Sequence, residues 1–359
     1  MPIFISSPPS YTPAVANTWE DIDDANVPDG ATGVILRASN VGGQGSVYVR
    51  KNGSTDGFIG GFIRNSAANA YVYMYVGVDG SGIFEFKGGS TTYSKIEIMG
   101  YFTEGTFFTN AVVKTTTTTD VWEDIDISSD TGADTAIGAV FIIDGGDNDV
   151  GIRKNGSTDT ATVEIMNANG GPTGFIVGVD GSEICEGFRK ETNDFNLMGY
   201  FETGEGVTFN TNGTDLTPSG TGYETETSSG DAGSILLIGS ANTWAIDARP
   251  GDSSATYYYD SGTVFLVGVD SSNQVDIRIE TTSAGISALE LGYFTSLTTP
   301  ANDERDAKLT GRDTASDTRA GIMAGGDGWY RERFTSTTFK DGSTTAVWDG
   351  SGSVTMTPD

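Results

Sequence analysis

Ser46-Val47-Tyr48-Val49-Arg50, then Asn52-Gly53, then Phe58-Ile59-Gly60-Gly61-Phe62-Ile63 reads as a strand, a tight turn and a second strand. Asn-Gly suits such a turn because Gly takes positive φ without steric cost. The segments that follow keep the pattern. The run 71–78 is β-branched and aromatic, and Ile83-Phe84-Glu85-Phe86-Lys87 and Ile96-Glu97-Ile98-Met99-Gly100-Tyr101-Phe102 alternate apolar with polar residues. No window of about 11 residues shows the period of an amphipathic helix. About seven or eight short strands per hundred residues, separated by turn signals, predict an antiparallel sandwich or jelly roll.

The pattern is repeated. Arg50-Lys51-Asn52-Gly53-Ser54-Thr55-Asp56 returns as Arg153-Lys154-Asn155-Gly156-Ser157-Thr158-Asp159, and Trp19-Glu20-Asp21-Ile22-Asp23 as Trp122-Glu123-Asp124-Ile125-Asp126, both 103 residues on. Val76-Gly77-Val78-Asp79 recurs at 177–180 and 267–270, and Gly100-Tyr101-Phe102 at 199–201 and 292–294. The third copy is degenerate. Tyr223-Glu224-Thr225-Glu226 stands for the Trp segment, and Ala245-Ile246-Asp247-Ala248-Arg249 lies where the Asn-Gly motif is missing. A period near that of a whole domain is too long for a solenoid. The reading is all-β: tandem antiparallel β-sandwich (jelly-roll-like) modules at 1–103 (with an N-terminal strand in 1–13), 104–203 and 204–295, followed by a small β-rich segment at 296–359. In that segment Asn302–Gly311 is echoed 14 residues later by Ser316–Gly325. A row of rigid sandwiches on short connections predicts an extended projection.

The 359 residues include 50 Gly, one Cys and no His, and carry a formal charge of −29. Without histidine, imidazole bases, His-dependent triads and His-ligated metals are excluded. With 20 basic against 49 acidic residues, neither nucleic acid nor an anionic membrane is an expected partner. The charge is concentrated: residues 1–295 hold 13 basic and 39 acidic residues, whereas 296–359 hold 7 and 10. The near-neutral segment, with Trp329-Tyr330-Arg331-Glu332-Arg333-Phe334, is a candidate contact region. An Asp-rich, Lys-poor surface fits a halophilic or marine setting, where about 1 M salt shortens the Debye length to roughly 3 Å and screens self-repulsion. A melting temperature that rises with NaCl is the expected mark.

Candidate sites are few. Trp19 and Trp122 are assigned to the sandwich core or its end rather than to a sugar-stacking platform. Cys185, with no partner for a disulfide, reads as a buried small hydrophobe. The turns at Asp79-Gly80-Ser81-Gly82, Asp180-Gly181-Ser182-Glu183 and Asp144-Gly145-Gly146-Asp147-Asn148-Asp149 are oxygen-rich enough to be weighed as Ca²⁺ sites. They lack EF-hand spacing, and Asp-Gly turn chemistry accounts for them without a metal. Asn52, Asn155 and Asn212 head N-x-S/T sequons. Close carboxylate pairs, which could run glycoside hydrolysis, arise by chance among so many acids. No catalytic, cofactor-binding or metal-ligating residue is assigned, and no enzyme or cofactor is expected. No secretory leader or membrane-spanning run is read at the start or elsewhere.

The Val-Arg-Lys-Asn-Gly-Ser-Thr-Asp, Val-Gly-Val-Asp-Gly and Gly-Tyr-Phe modules, followed by the Arg-Asp-Ala-Lys-Leu-Thr-Gly type of tandem repeat, resemble accessory structural proteins of tailed viruses: tail-fibre, spike, turret and decoration proteins. The resemblance implies a non-enzymatic virion component fixed to capsid or tail, oligomeric, assembled in the host cytoplasm and exposed outside. Its implied partners are other virion proteins and a host-surface glycan or protein, and the acidity would suit a host from salt water. The competing class is a cell-surface adhesin or carbohydrate-binding module. Ile3-Phe4-Ile5 occupies the place that Phe107-Phe108 and Val207-Thr208-Phe209 hold before the later modules. Those strands are expected to bridge consecutive domains, leaving the segment 1–13 free to dock on a partner by strand pairing.

Overall fold

The computed structural model describes residues 1–5, 7–40, 45–57, 59–63, 71–132, 135–144, 149–161, 163–164, 172–191, 193–240, 246–251, 258–259, 264–279 and 287–295, and beyond these only four short strands. The first repeat supplies β1 (Pro2–Phe4), β2 (Ser10–Tyr11), β3 (Glu20–Ile22), β4 (Gly33–Asn40), β5 (Gly45–Lys51), β6 (Gly60–Ile63), β7 (Tyr71–Gly77), β8 (Phe84–Gly88) and β9 (Ser94–Phe102). The second supplies β10 (Thr106–Lys114), β11 (Glu123–Asp126), β12 (Ala136–Asp144), β13 (Asp149–Lys154), β14 (Val163–Glu164), β15 (Thr173–Gly178), β16 (Ile184–Arg189) and β17 (Asp194–Glu202). The third supplies β18 (Val207–Asp215), β19 (Glu224–Thr227), β20 (Ala232–Ser240), β21 (Ile246–Pro250), β22 (Tyr258–Tyr259), β23 (Val264–Gly268), β24 (Gln274–Ile279) and β25 (Ser287–Thr295).

Each repeat folds into two antiparallel sheets with one strand order. They are β1-β9-β4-β7 with β3-β8-β5-β6, then β10-β17-β12-β15 with β11-β16-β13-β14, then β18-β25-β20-β23 with β19-β24-β21-β22. In the first repeat β2 also pairs β9, and with β1 and β2 counted as one interrupted first strand all three repeats have the eight-stranded jelly-roll order. The alternating segments put Val34, Leu36, Ile96 and Ile98 of one sheet and Val47, Val49, Phe84 and Phe86 of the other into the first core. The all-β sandwich expected from the sequence is the fold observed.

The Gly-Tyr-Phe strand has a shared irregularity. Ile35 pairs Gly100 but Leu36 pairs Ile98, so Met99 is a bulge, and Met198 and Leu291 occupy the same place in the other copies. The glycine that follows allows close approach of the module's first strand. A Cβ on Gly100, Gly199 or Gly292 would lie 2.4, 2.2 or 2.4 Å from the carbonyl oxygen of Ile3, Thr106 or Thr208.

Two expectations are corrected. The three sandwiches do not stand in an extended row, because they form one compact unit, Met1–Ser296, in which each touches the other two. Nor is the N-terminal strand a free docking strand, since Pro2, Ile3 and Phe4 pair with Phe102, Tyr101 and Gly100 of their own module. β10 and β18 likewise pair inside the module they open, and they meet the preceding one through side chains and through hydrogen bonds between their backbone and its side chains. The remaining unit, Leu297–Asp359, is described as two hairpins, Ile322–Gly325 with Gly328–Arg331 and Thr337–Lys340 with Thr345–Trp348. The echoed repeat at 302–321 and the residues Glu332-Arg333-Phe334 lie outside the described residues.

Candidate functional site

The repeated residues converge where modules meet. Phe102, Phe201 and Phe294, the last residues of the three Gly-Tyr-Phe motifs, are fully buried and touch one another, with ring centroids 5.7, 6.0 and 5.2 Å apart. Equivalent side chains meeting in this way mark a pseudo-threefold axis inside a single chain. The strands β7, β15 and β23 also lie against one another near it. There the symmetry is broken by size: Tyr73 and Tyr75 of the first module face Gly174 of the second, whose Cβ would sit 2.7 Å from the Tyr73 carbonyl oxygen.

Around this axis the first two modules each grip the next by the same device. Arg50 stacks on Trp19 at 4.1 Å, and its Nε and Nη2 each donate to Glu85 at 2.8 Å. Its Nη1 donates to the Asp56 carbonyl at 2.7 Å, which fixes the loop after the Asn-Gly turn. That loop reaches the second module. The Asn110 side-chain oxygen accepts from Ser54 Oγ and Thr55 N–H, at 3.0 and 2.8 Å, while the Asp56 carboxylate accepts from Ala111 N–H at 2.8 Å. Lys51 Nζ donates to the Phe107 carbonyl at 3.0 Å, and burial holds its pKa below the usual lysine value against the pull of Asp79.

The second module repeats every part. Arg153 stacks on Trp122 at 4.2 Å and pairs with Glu186, and Asn212 accepts from Ser157 and Thr158. Asp159 accepts from Gly213 N–H at 2.6 Å, and Lys154 donates to Phe209 at 3.5 Å. Phe107 and Phe209 fill hollows that exist because glycine stands at four positions. A Cβ on Gly33 or Gly77 would lie 2.7 or 2.6 Å from Phe107, and one on Gly138 or Gly178 would lie 2.2 or 2.5 Å from Phe209.

The seam from the third module back to the first keeps the clamp and loses the latch. Arg249 stacks on Tyr223 at 3.9 Å and pairs with Asp276 at 3.0 Å. Pro250, however, occupies the lysine position, and the sequence that follows, Gly251-Asp252-Ser253-Ser254-Ala255, has Ala where the latch Asp stands. On the receiving side Ser7-Pro8 replaces Asn110-Ala111, and Pro8 has no N–H to donate. Ser234 stands where Gly33 and Gly138 open the hollow. Phe4 is accordingly displaced: it is 39% exposed, against 6% and 8% for Phe107 and Phe209, and lies 3.7 Å from the Cβ position of Gly268.

The tryptophans are therefore half-buried stacking partners of arginine rather than core residues, and Lys87 also lies over Trp19 at 4.6 Å. Their glutamates cap the preceding loop: Glu20 accepts from Ala14 and Val15 N–H, Glu224 from Ser219 and Gly220 N–H. Glu123 does so for Thr117 and Thr118, and hydrogen bonds from Thr118 and Thr117 pull its pKa down to about 2. Asp79 and Asp180 spend their carboxylates on the turn. Asp79 accepts from Ser81 and Ile83 N–H, Asp180 from Ser182 and Ile184 N–H, and the Asn52 and Asn155 amides donate to them at 2.7 Å. The sequon amides of Asn52 and Asn155 are thus engaged, and Gly53 and Gly156 have the positive φ of 80° and 81° that their turns need. Residues 145–148 of the third oxygen-rich loop lie outside the described residues. Among the described residues no group of three or more Cys, Asp or Glu side chains is placed to hold a metal ion. Cys185 is fully buried on β16, and burial pushes its thiol pKa well up.

Fold and seams together define a class: three jelly rolls joined in one chain about a pseudo-threefold axis. No family model matches the chain, and no curated protein matches it. Among solved structures it is similar to a chain of the lipid-containing bacteriophage PM2, from an X-ray structure of the entire phage. The match covers 81% of this chain and 87% of that one, at 10% identity and a TM-score of 0.15. A likeness at that level carries no argument about this chain.

Proposed function

We propose that this protein is a non-enzymatic structural component of a virion, a turret, decoration, fibre or spike element on capsid or tail. The observation that carries the proposal is the use made of the repeated residues. The Asp56–Ala111 and Asp159–Gly213 latches and the phenylalanines of the Gly-Tyr-Phe motifs join one jelly roll to the next, and Arg50 on Trp19, with its copy, holds the loop that carries the latch, so the repetition serves assembly of one block. Double-sheet jelly rolls recur in capsid and lectin domains alike, so the fold by itself leaves the choice open. The glycan-binding alternative needs free aromatic faces, and guanidinium groups cover those of Trp19 and Trp122. With β1 committed within the first module, contacts to other virion proteins fall to the near-neutral residues 296–359, while the three acidic modules face the medium. The test is mass spectrometry of gradient-purified particles together with gold-labelled antibody against the three-module unit. A protein that co-purifies at fixed stoichiometry and is labelled on intact particles supports the reading. Absence from particles overturns it.

A further inference from the structure

We infer that the three-module unit has a built-in place of opening, the seam between the third and first modules, which parts while each jelly roll stays folded. Four observations meet there. The lysine-to-carbonyl bond and the Asp-to-N–H bond that hold the other two seams have no counterpart in the sequence, where Pro250, Ala255 and Pro8 take the places of their donors and acceptor. Phe4 is far more exposed than its two equivalents and makes only ordinary van der Waals approach to Gly268. The Ser234 hydroxyl, 2% exposed at this seam, finds no hydrogen-bond partner among the described residues, and a buried hydroxyl without one favours the state that wets it. Among the described residues, the contacts seen near the axis are aromatic packing, Tyr73 on Phe265 at 6.2 Å and Phe102 on Phe294 at 6.0 Å, and Met1, whose sulfur lies 3.2 Å from the Cβ position of Gly206. The rim therefore parts about an axial pivot. Opening uncovers Phe4 and the β23 edge of the third module, an apolar surface that the closed unit partly hides.

The test is thiol-exchange kinetics on the folded full chain with a small maleimide. Ser234→Cys places a near-isosteric thiol at the seam, Ala248→Cys places one in the third module's core, and Cys185 is the native reference in the second module's core. Parting of the seam alone exposes position 234, whereas either core thiol is reached only when its module unfolds, so Cys at 234 should react at least about 10-fold faster than Cys185 or Cys at 248. In the Ser234→Cys background, Pro250→Lys, which restores a donor towards the Phe4 carbonyl, should slow that reaction about five-fold and leave Cys185 unchanged. If position 234 reacts no faster than Cys185, the seam does not open. If Ala248→Cys keeps pace with it, the third module itself is unfolding. Either result overturns the inference.

Discussion

The seams that follow the chain and the seam that closes it are built on one plan, yet among the described residues only the first two show its hydrogen bonds. From module one to two and from two to three, an Asp accepts an N–H at 2.8 and 2.6 Å, an Asn accepts a Thr N–H at 2.8 and 2.9 Å, and a Lys caps a carbonyl at 3.0 and 3.5 Å. At the third-to-first seam the carboxylate is Ala, the N–H donor is Pro and the lysine is Pro. The arginine clamp persists in all three modules, so it serves each module's own loop, whereas the latch serves the neighbour. Losing both halves of the latch together is what relaxed pairing at one contact leaves behind.

The largest expected effect tests the hollows. Gly77→Ala or Gly178→Ala puts a methyl 2.6 or 2.5 Å from the Cβ of Phe107 or Phe209, close to the backbone, where the ring cannot swing clear. Each should cost about 2–3 kcal/mol, the scale of overpacking a tight core. Gly268→Ala, the same position at the closing seam, meets Phe4 only at 3.7 Å and should be neutral or slightly stabilising, by about 0.5 kcal/mol. Thermal melts of the three variants measure this, and equal losses at all three would break the contrast.

Next comes the latch. Ala111→Pro copies the residue at position 8 and removes the N–H that Asp56 accepts, which should cost about 1–2 kcal/mol. In that background Asp56→Ala should add little, because the bond it would break is already gone. A double-mutant cycle measures the coupling. Full additivity would mean that the two residues do not act on each other.

The third module carries a second departure. Glu226 stands where Ile22 and Ile125 enter the cores of the other modules, and burial, with Glu224 and Asp215 nearby, holds its pKa above the usual glutamate value. A raised carboxyl pKa contributes stability below the unfolded value of 4.5 and loses it as pH rises through the folded value. At neutral pH Glu226 is thus a liability, and Glu226→Ile should stabilise by about 1 kcal/mol. The gain should shrink towards pH 4, roughly where the carboxyl takes up its proton.

Much of the module was legible because strand alternation and Asn-Gly or Asp-Gly turns are local. The repeats of Val-Gly-Val-Asp and Gly-Tyr-Phe identify the strands, and the apolar alternation at 96–102 identifies its buried face. The seams were not legible, since Ser54 and Asp56 act on residues 56 and 55 positions away and Phe102 on one in the next module, and nothing local distinguishes a turn residue from a latch. Trp19 shows the difficulty: an aromatic in register with strands reads as part of the sandwich core or its end until its arginine is seen. One signal was present. Asp56 with Ala111 and Asp159 with Gly213 become Ala255 with Pro8 in the sequence, so both halves of the latch change together.

The smallest effect concerns the turns that aim the latches. Burial works against the charged forms of Asp79 and Asp180. Hydrogen bonds from Ile83, Asn52 and Ser81, and from Ile184, Ser182 and Asn155, outweigh it and hold both pKa values below the usual 3.8. A depressed carboxyl pKa contributes stability above the unfolded value and loses it as pH falls through the folded one. Both groups are largely solvated, so screening keeps the contribution small. Gly251 stands where Asn52 and Asn155 stand, so Asp270 has no such amide donor, although it accepts from Ser272 and Gln274 N–H. Asp79→Asn with Asp180→Asn should lower the melting temperature slightly at pH 6, and the difference from the parent should vanish between about pH 4 and 2. Because Asn52 and Asn155 begin the loops that end in Asp56 and Asp159, the same pair of substitutions should weaken the two sequential seams and leave the closing one unchanged. A pH-independent difference would mean that these carboxylates act through shape alone, and the turn would then aim the latch without help from charge.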